Sequence, residues 1–215
     1  MRFVAKDREP DSLAAWKEQV NEEWTPSYPD LQNPEKRDVH LALLTEQGGT
    51  CCYCGRRISL EESHIEHFVP QEASEDLALE YRNLHASCIR ALTPRLPLHC
   101  GHAKGQHLDL KRSISPLDPA YEHRFRYALD GGLLPANEAD ENARYMIDLL
   151  KLDIAALRNR REAILAGMFD NEFLASATDE DLEKIRETYR TRDGDRNFQD
   201  FAHVIARFAE QLMGV

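Results

Sequence analysis

Apolar positions recur at helical spacing through most of the chain, except in a middle stretch where cysteine, histidine, glycine and proline crowd together. Leu13, Trp16, Val20 and Trp24 predict an amphipathic helix over 11–24. A connector holding Pro26, Pro29 and Pro34 follows. Asn33-Pro34 is a helix-start signal for a second helix that carries Val39, Leu43 and Leu44 and stops at Gly48-Gly49. Further on, apolar runs flanking Asp130-Gly131-Gly132 predict a short hairpin over 125–134. Beyond it, helices are predicted over 138–151, 153–168, 178–191 and 196–213, and Thr178-x-x-Asp181 supplies a capping box for the third. In the last, Phe198, Phe201, Val204, Ile205, Phe208 and Leu212 form one apolar stripe, either core or a partner-docking face. The pattern divides the chain into N-terminal helices (1–48), a cysteine-rich middle (49–127) and a helical C-terminal region (128–215), without internal repeats.

A chain of 215 residues with 42% hydrophobic content can bury a real core as one domain or two small lobes. No run of about 18 apolar residues is present to span a bilayer, and the first residues, Met1 to Arg8, lack the apolar stretch of a secretion signal. No membrane partner is therefore expected, and a cytoplasmic location is. The net charge of −11 argues against non-specific coating of nucleic acid, which needs clustered Lys and Arg. Charge is uneven, however. From Tyr81 to Tyr127, eight basic residues (Arg82, Arg90, Arg95, Lys104, Lys111, Arg112, Arg124, Arg126) face three acidic ones, so this window is +5 and the remainder −16. Such a patch suits a local phosphate contact or a solvated loop. Segment 170–195, with nine acidic residues against four basic, suits a solvated helix face or a dock for a basic partner.

All five cysteines, Cys51, Cys52, Cys54, Cys88 and Cys100, lie within fifty positions. Clustering of this kind in a cytoplasmic chain points to metal or redox chemistry more than to disulfides. Cys51-x-x-Cys54 is a knuckle whose thiolates can turn onto one tetrahedral ion, with Gly55 relaxing the backbone behind them; Cys88 and Cys100 can complete a structural zinc site. His99 and His102 flank Cys100 closely enough to replace it, and Cys52 is left over. A redox dithiol or plain buried thiols are the competing readings. A thioredoxin-like motif opens a helix in a βαβ context, whereas this one follows a helix ended by two glycines.

Between the two halves of that site lie His64-Ile65-Glu66-His67-Phe68-Val69-Pro70 and Tyr81-Arg82-Asn83-Leu84, and then His99-Cys100-Gly101-His102-Ala103-Lys104-Gly105. In order, spacing and flanking cysteines, this arrangement resembles the HNH endonuclease family. The resemblance implies a mainly α protein with a small ββα-metal unit braced by a zinc knuckle, and hydrolysis of phosphodiester bonds. By position it makes His67 the general base that activates water. Glu66 and His102 would hold one catalytic divalent ion, Mg or Mn, and Asn83 would orient the His67 loop. Such chemistry needs a metal against the developing phosphate charge and a base of near-neutral pKa. Two features depart from the family pattern: eleven residues separate Cys88 from Cys100, and the final His falls two places after Cys100. His64 stands as an alternate ligand or a supporting residue; His85, His107 and His123 are read as surface or hydrogen-bonded residues.

The opening Met1-Arg2-Phe3-Val4, the His99–Gly105 box, Ile114-Ser115-Pro116-Leu117-Asp118-Pro119, Phe125-Arg126-Tyr127 and Leu150-Lys151-Leu152 narrow the likeness. They resemble the HNH (PtuB) subunits of Septu-type anti-phage defence systems and related retron effectors. That resemblance implies DNA as substrate and assembly with a PtuA-like ATPase of the SMC or ABC kind. An acidic chain binds DNA weakly by itself, so a partner presenting the duplex would supply the missing affinity. The alternative function is a non-catalytic zinc-knuckle module that binds nucleic acid or a partner.

Overall fold

A computed structural model describes residues 1–91, 94 and 97–215; Arg95 of the basic window lies outside them. The first helix, α1, spans Asp11–Lys17 and buries Leu13 and Trp16. It stops seven residues short of the expectation because Asn21 offers the backbone another partner: its side chain accepts from Glu23 N at 2.9 Å, and its backbone bridges to Trp24. Val20 is consequently 55% exposed, while Trp24 folds back edge-on to Trp16 with ring centroids 5.5 Å apart. The second helix, α2 (Glu35–Glu46), turns Val39, Leu43 and Leu44 inward. It ends where expected, at Gly48 and Gly49, both at positive φ, with Gly49 N bonded to Leu44 O at 2.8 Å.

In the middle of the chain β1 (Ser63–His67) and β2 (Leu84–Cys88) pair antiparallel, with Glu66 opposite His85 and His67 opposite Leu84. A single helical turn, α3 (Gly101–Lys104), follows. The expected hairpin forms as β3 (Phe125–Tyr127) and β4 (Leu133–Pro135).

Five helices complete the chain: α4 (Glu141–Leu149), α5 (Ala155–Met168), α6 (Asn171–Ser176), α7 (Asp179–Arg190) and α8 (Ala202–Met213). Thr178 and Asp181 form the expected capping box. Three differences from the sequence pattern have local causes. Asp140 caps Ala143 N, so α4 starts at 141 and not 138. Phe201 adopts φ 52°, so α8 begins at 202 and not 196. Asp170 caps Phe173 N and starts the short α6, which apolar spacing did not indicate. The apolar stripe is core: Phe198, Phe201, Val204, Ile205 and Phe208 are buried, and only Leu212, 42% exposed, falls outside it. All three sequence segments contribute to one hydrophobic cluster. The architecture is thus mixed, helices with two small antiparallel strand pairs. Among the described residues no helix is long and apolar enough to cross a membrane.

Candidate functional site

The cysteine turn closes because Gly55, at φ 72°, bends its amide back to Cys51 O at 3.0 Å. Helix α8 backs this turn: Phe201 N bonds Gly55 O at 3.1 Å, and a Cβ on Gly55 would lie 2.0 Å from the His203 ring. The Sγ atoms of Cys51, Cys54, Cys88 and Cys100 are buried and lie within 4.8 Å of one another, with Cys54 and Cys88 at 3.8 Å. Four thiolates on one tetrahedral ion at ~2.3 Å would be about 3.8 Å apart, so the set fits a metal. Cys88 N points at Cys51 Sγ at 3.4 Å. Burial opposes ionisation of Cys51, but hydrogen bonds from the neighbouring thiols, Cys100 foremost, more than offset it and hold the group well below the ordinary thiol range. Cys100, not a histidine, occupies the fourth corner; His99 stands beside it, with Nδ1 3.1 Å from Cys100 Sγ and 3.6 Å from Cys88 Sγ. Cys52 is buried outside the group, and burial and Cys51 push its thiol well up.

Next to this knot lies a cavity of about 230 Å³ whose wall includes His64, Glu66, His67, Gly101, His102 and Lys104. His64 and Glu66, two apart on β1, share the face that meets α3. Glu66 Oε1 accepts from Tyr53 OH at 3.1 Å and is ion-paired with Lys104 Nζ, also at 3.1 Å. Its Oε2 lies 3.4 Å from His64 Nε2. Gly101 is required here, since a Cβ would sit 2.3 Å from that oxygen.

The two histidine rings, centroids 4.4 Å apart, are anchored by one backbone atom. His64 Nδ1 and His102 Nε2 lie 2.9 and 2.7 Å from Ile89 O. A carbonyl only accepts, so those nitrogens carry the protons, and in the neutral rings His64 Nε2 and His102 Nδ1 are left as lone-pair acceptors. His64 Nε2 and Glu66 Oε2 then face each other as two acceptors, an arrangement that calls for a proton or a cation between them. Two donors at ~2.1 Å from one divalent ion are roughly 3.0–3.4 Å apart, so these groups fit one. A carbonyl fixing the far nitrogen of a ligating imidazole is the usual support of a metal site. Ile89 itself has φ 69°, rarely tolerated by a β-branched residue.

His67 ends the strand on the other side. Its Nε2 donates to Ala78 O at 3.0 Å, leaving Nδ1 as the basic nitrogen, 3.4 Å from Gln71 Nε2. Tyr28 packs edge-on against the ring, centroids 4.3 Å apart. Burial lowers the His67 pKa, partly offset by the Ala78 carbonyl and by Glu66, so the ring is neutral at pH 7. His102 is likewise lowered, by burial and then by His64. Burial alone would raise Glu66, but a proton between it and His64, when present, and the Lys104 ammonium outweigh burial and lower the carboxyl below its ordinary value. Asn83 staples the loop after His67: its Oδ1 accepts from Val69 N at 2.7 Å, and its Nδ2 donates to Val69 O and Leu77 O, each at 3.0 Å.

The fold therefore brings Glu66, His67 and His102 onto one cavity and places Asn83 behind the loop. His64, which the sequence left as an alternate, stands 3.4 Å from Glu66 Oε2. Lys104, Tyr53, Gln71 and Ile89 were missed. Lys104 had a signal, lying one helical turn past Cys100; Ile89 acts through its carbonyl, for which residue type carries no code. Among the described residues of the basic window Lys104 is the least available to phosphate, being 1% exposed and bonded to His67 O at 2.8 Å. His107 and His123 are exposed; His85 is buried with both ring nitrogens unpartnered.

No protein-family model matches the chain. Two curated proteins are similar to it. One is the Retron Vc95 putative HNH endonuclease of Vibrio cholerae serotype O1 biovar El Tor, 28% identical over 134 residues, which cover 59% of this chain and 63% of that protein. The other is the Septu protein PtuB of Bacillus thuringiensis, 30% identical over 144 residues, covering 62% of this chain and 50% of that protein. The chain thus spans between half and just under two thirds of these relatives. Together the two homologues support an HNH-type family for this chain.

Proposed function

We propose that the chain is a metal-dependent HNH endonuclease that hydrolyses phosphodiester bonds of DNA, with β1, β2 and the single turn α3 acting as a reduced ββα-metal unit. The observation that carries this reading is the convergence of an ionised carboxylate, two imidazoles anchored on one carbonyl and a third, neutral imidazole on a single cavity. His67 Nδ1 takes the proton from water, and the Ala78 carbonyl holds the ring in the tautomer that can do so. Glu66, His102 and, from its 3.4 Å approach to Glu66, His64 would hold a divalent ion, Mg or Mn, which would stabilise the negative charge that develops on the phosphate oxygens. Lys104 fixes the strand end by its bond to His67 O and neutralises Glu66 Oε1. Asn83 keeps the His67 loop in register. The four thiols would hold a structural zinc, whose removal unravels the turn on which β2 and α3 depend.

By its likeness to the Septu and retron proteins, the chain acts in the cytoplasm as the cutting subunit of an anti-phage complex with a PtuA-like, SMC- or ABC-like ATPase. The test is cleavage of plasmid DNA with Mg or Mn by the zinc-replete chain and by His67→Ala, with zinc content measured on both. The expected result is a loss of at least about 100-fold in rate at unchanged zinc. Cutting that persists in His67→Ala rejects the assignment of the base. A chain that never cuts under any metal, yet unfolds on zinc chelation, is instead the non-catalytic binding module.

A further inference from the structure

The candidate active cavity has two larger neighbours of opposite charge. On the far side of β1, a cavity of about 780 Å³ is closed by the first turn of α2 and the turn at 60–61, and it shares His64 and Ile65 with the site. Lys36, Arg37 and Arg90 line it, and Glu61 is the one carboxylate among its described lining residues. The cations are held at the wall: Lys36 Nζ stands 4.8 Å from the Tyr28 ring centroid, and Arg90 Nη1 donates to Leu60 O at 2.6 Å. The third cavity, about 630 Å³, meets the site through Gln71 and the basic cavity through Tyr28. It carries Glu72, Glu75 and Asp76 and, among its described lining residues, no Lys, Arg or His.

A nucleic-acid strand presents one phosphate per nucleotide, and phosphate positions are set by local cations more than by net charge. In a chain of −11 overall, three cations in the cavity that adjoins the candidate active one stand out as the place where a backbone is welcome. The carboxylates on the other flank repel the same backbone. We propose that substrate is gripped on one side of the scissile bond only: Lys36, Arg37 and Arg90 take the flanking phosphates, and the Glu72–Asp76 side admits little beyond the nucleotide at the cut. This rests on the nuclease reading and gives it a direction. The basic window of the sequence held only Arg90 of the three; Lys36 and Arg37 lie outside it, and Arg124 within it is spent on Asp140.

The experiment uses the full zinc-replete chain and end-labelled DNA oligonucleotides of about 30 nucleotides, single-stranded and duplex, cut in Mn over a range of salt. Probes are trimmed from either side of the mapped cut. Shortening one side is expected to abolish cleavage, while shortening the other leaves it within twofold; which side responds gives the strand polarity. Lys36→Gln with Arg37→Gln is expected to raise KM about tenfold or more and to reduce the salt slope by about two, with the loss falling on KM and not on kcat. Glu61→Gln, exposed and outside the core, is expected to do the opposite and lower KM. Equal tolerance to trimming on both sides, or unchanged KM and salt slope in the double variant of an active, zinc-replete protein, overturns the one-sided grip alone. An intact chain that cuts no probe overturns the nuclease reading and this inference with it.

Discussion

The cysteine knot and the cavity beside it draw on the same segments of chain but behave as opposites. At the knot four buried sulfurs face one another within 4.8 Å, with the buried His99 ring packed against two of them. In the cavity the oxygen and nitrogen acceptors of Glu66, His64 and His102 are anchored from behind and leave a side open to a space of about 230 Å³. Closed coordination holds a fold together, whereas an open position admits water and substrate. On the proposed reading, the closed set would hold a metal for structure and the open set one for chemistry. The contrast also fits the burial of the β1–β2 pair, which is buried throughout except at His64 and Ile65, both on the cavity wall.

The largest way to break the comparison is Cys54→Ser. Structural zinc contributes on the order of 10 kcal/mol, comparable to the whole stability of a domain, so this variant should lose its zinc and its cooperative unfolding transition in circular dichroism. Retention of both would remove the knot from its structural role. Next, Glu66→Gln should keep zinc but lower cleavage by about 100-fold or more, because the ion loses its anionic ligand. It also leaves Lys104 buried without its ion pair, costing about 3 kcal/mol; His64→Ala, which spares that pair, should weaken Mn binding about 10- to 100-fold.

Asn83→Ala strands two backbone groups of Val69 and one of Leu77. It should cost roughly 2–4 kcal/mol in denaturant unfolding, with slower cleavage at saturating metal. A smaller effect sharpens the role of His67. Its lowered pKa means that the neutral, basic form persists on acidification past 6.5, so the acid limb of kcat/KM should fall below that value and flatten above it. A limb centred above 6.5 would point to another base. The smallest effect belongs to Cys52→Ala. That thiol lies outside the group of four, so zinc stoichiometry should be unchanged and stability lower by only about 1 kcal/mol.

The same contrast governs what the residues announced in advance. Cys51, Cys54, Cys88 and Cys100 were legible because thiolate chemistry is written in residue type, and the eleven residues between the last two do not matter once the chain loops back. Glu66, His67 and Asn83 were legible from order and spacing. Ile89 was not, since what it supplies is a carbonyl made available by a left-handed backbone. Lys104 read as surface charge until α3 folded it under Glu66. Helix ends slipped wherever a side chain outcompeted periodicity, as Asn21 does after α1 and Asp140 before α4. The stripe in α8 was legible as core or docking face, and its neighbours α5, α7 and β3 decide for core.

The division of labour is tested most directly by Mn(II) titration of the zinc-loaded chain, followed by electron paramagnetic resonance. The expected result is one exchangeable Mn bound beside one retained zinc, with Mn binding lost in Glu66→Gln while zinc stays. No Mn binding in the intact chain, or Mn binding indifferent to Glu66, would contradict it.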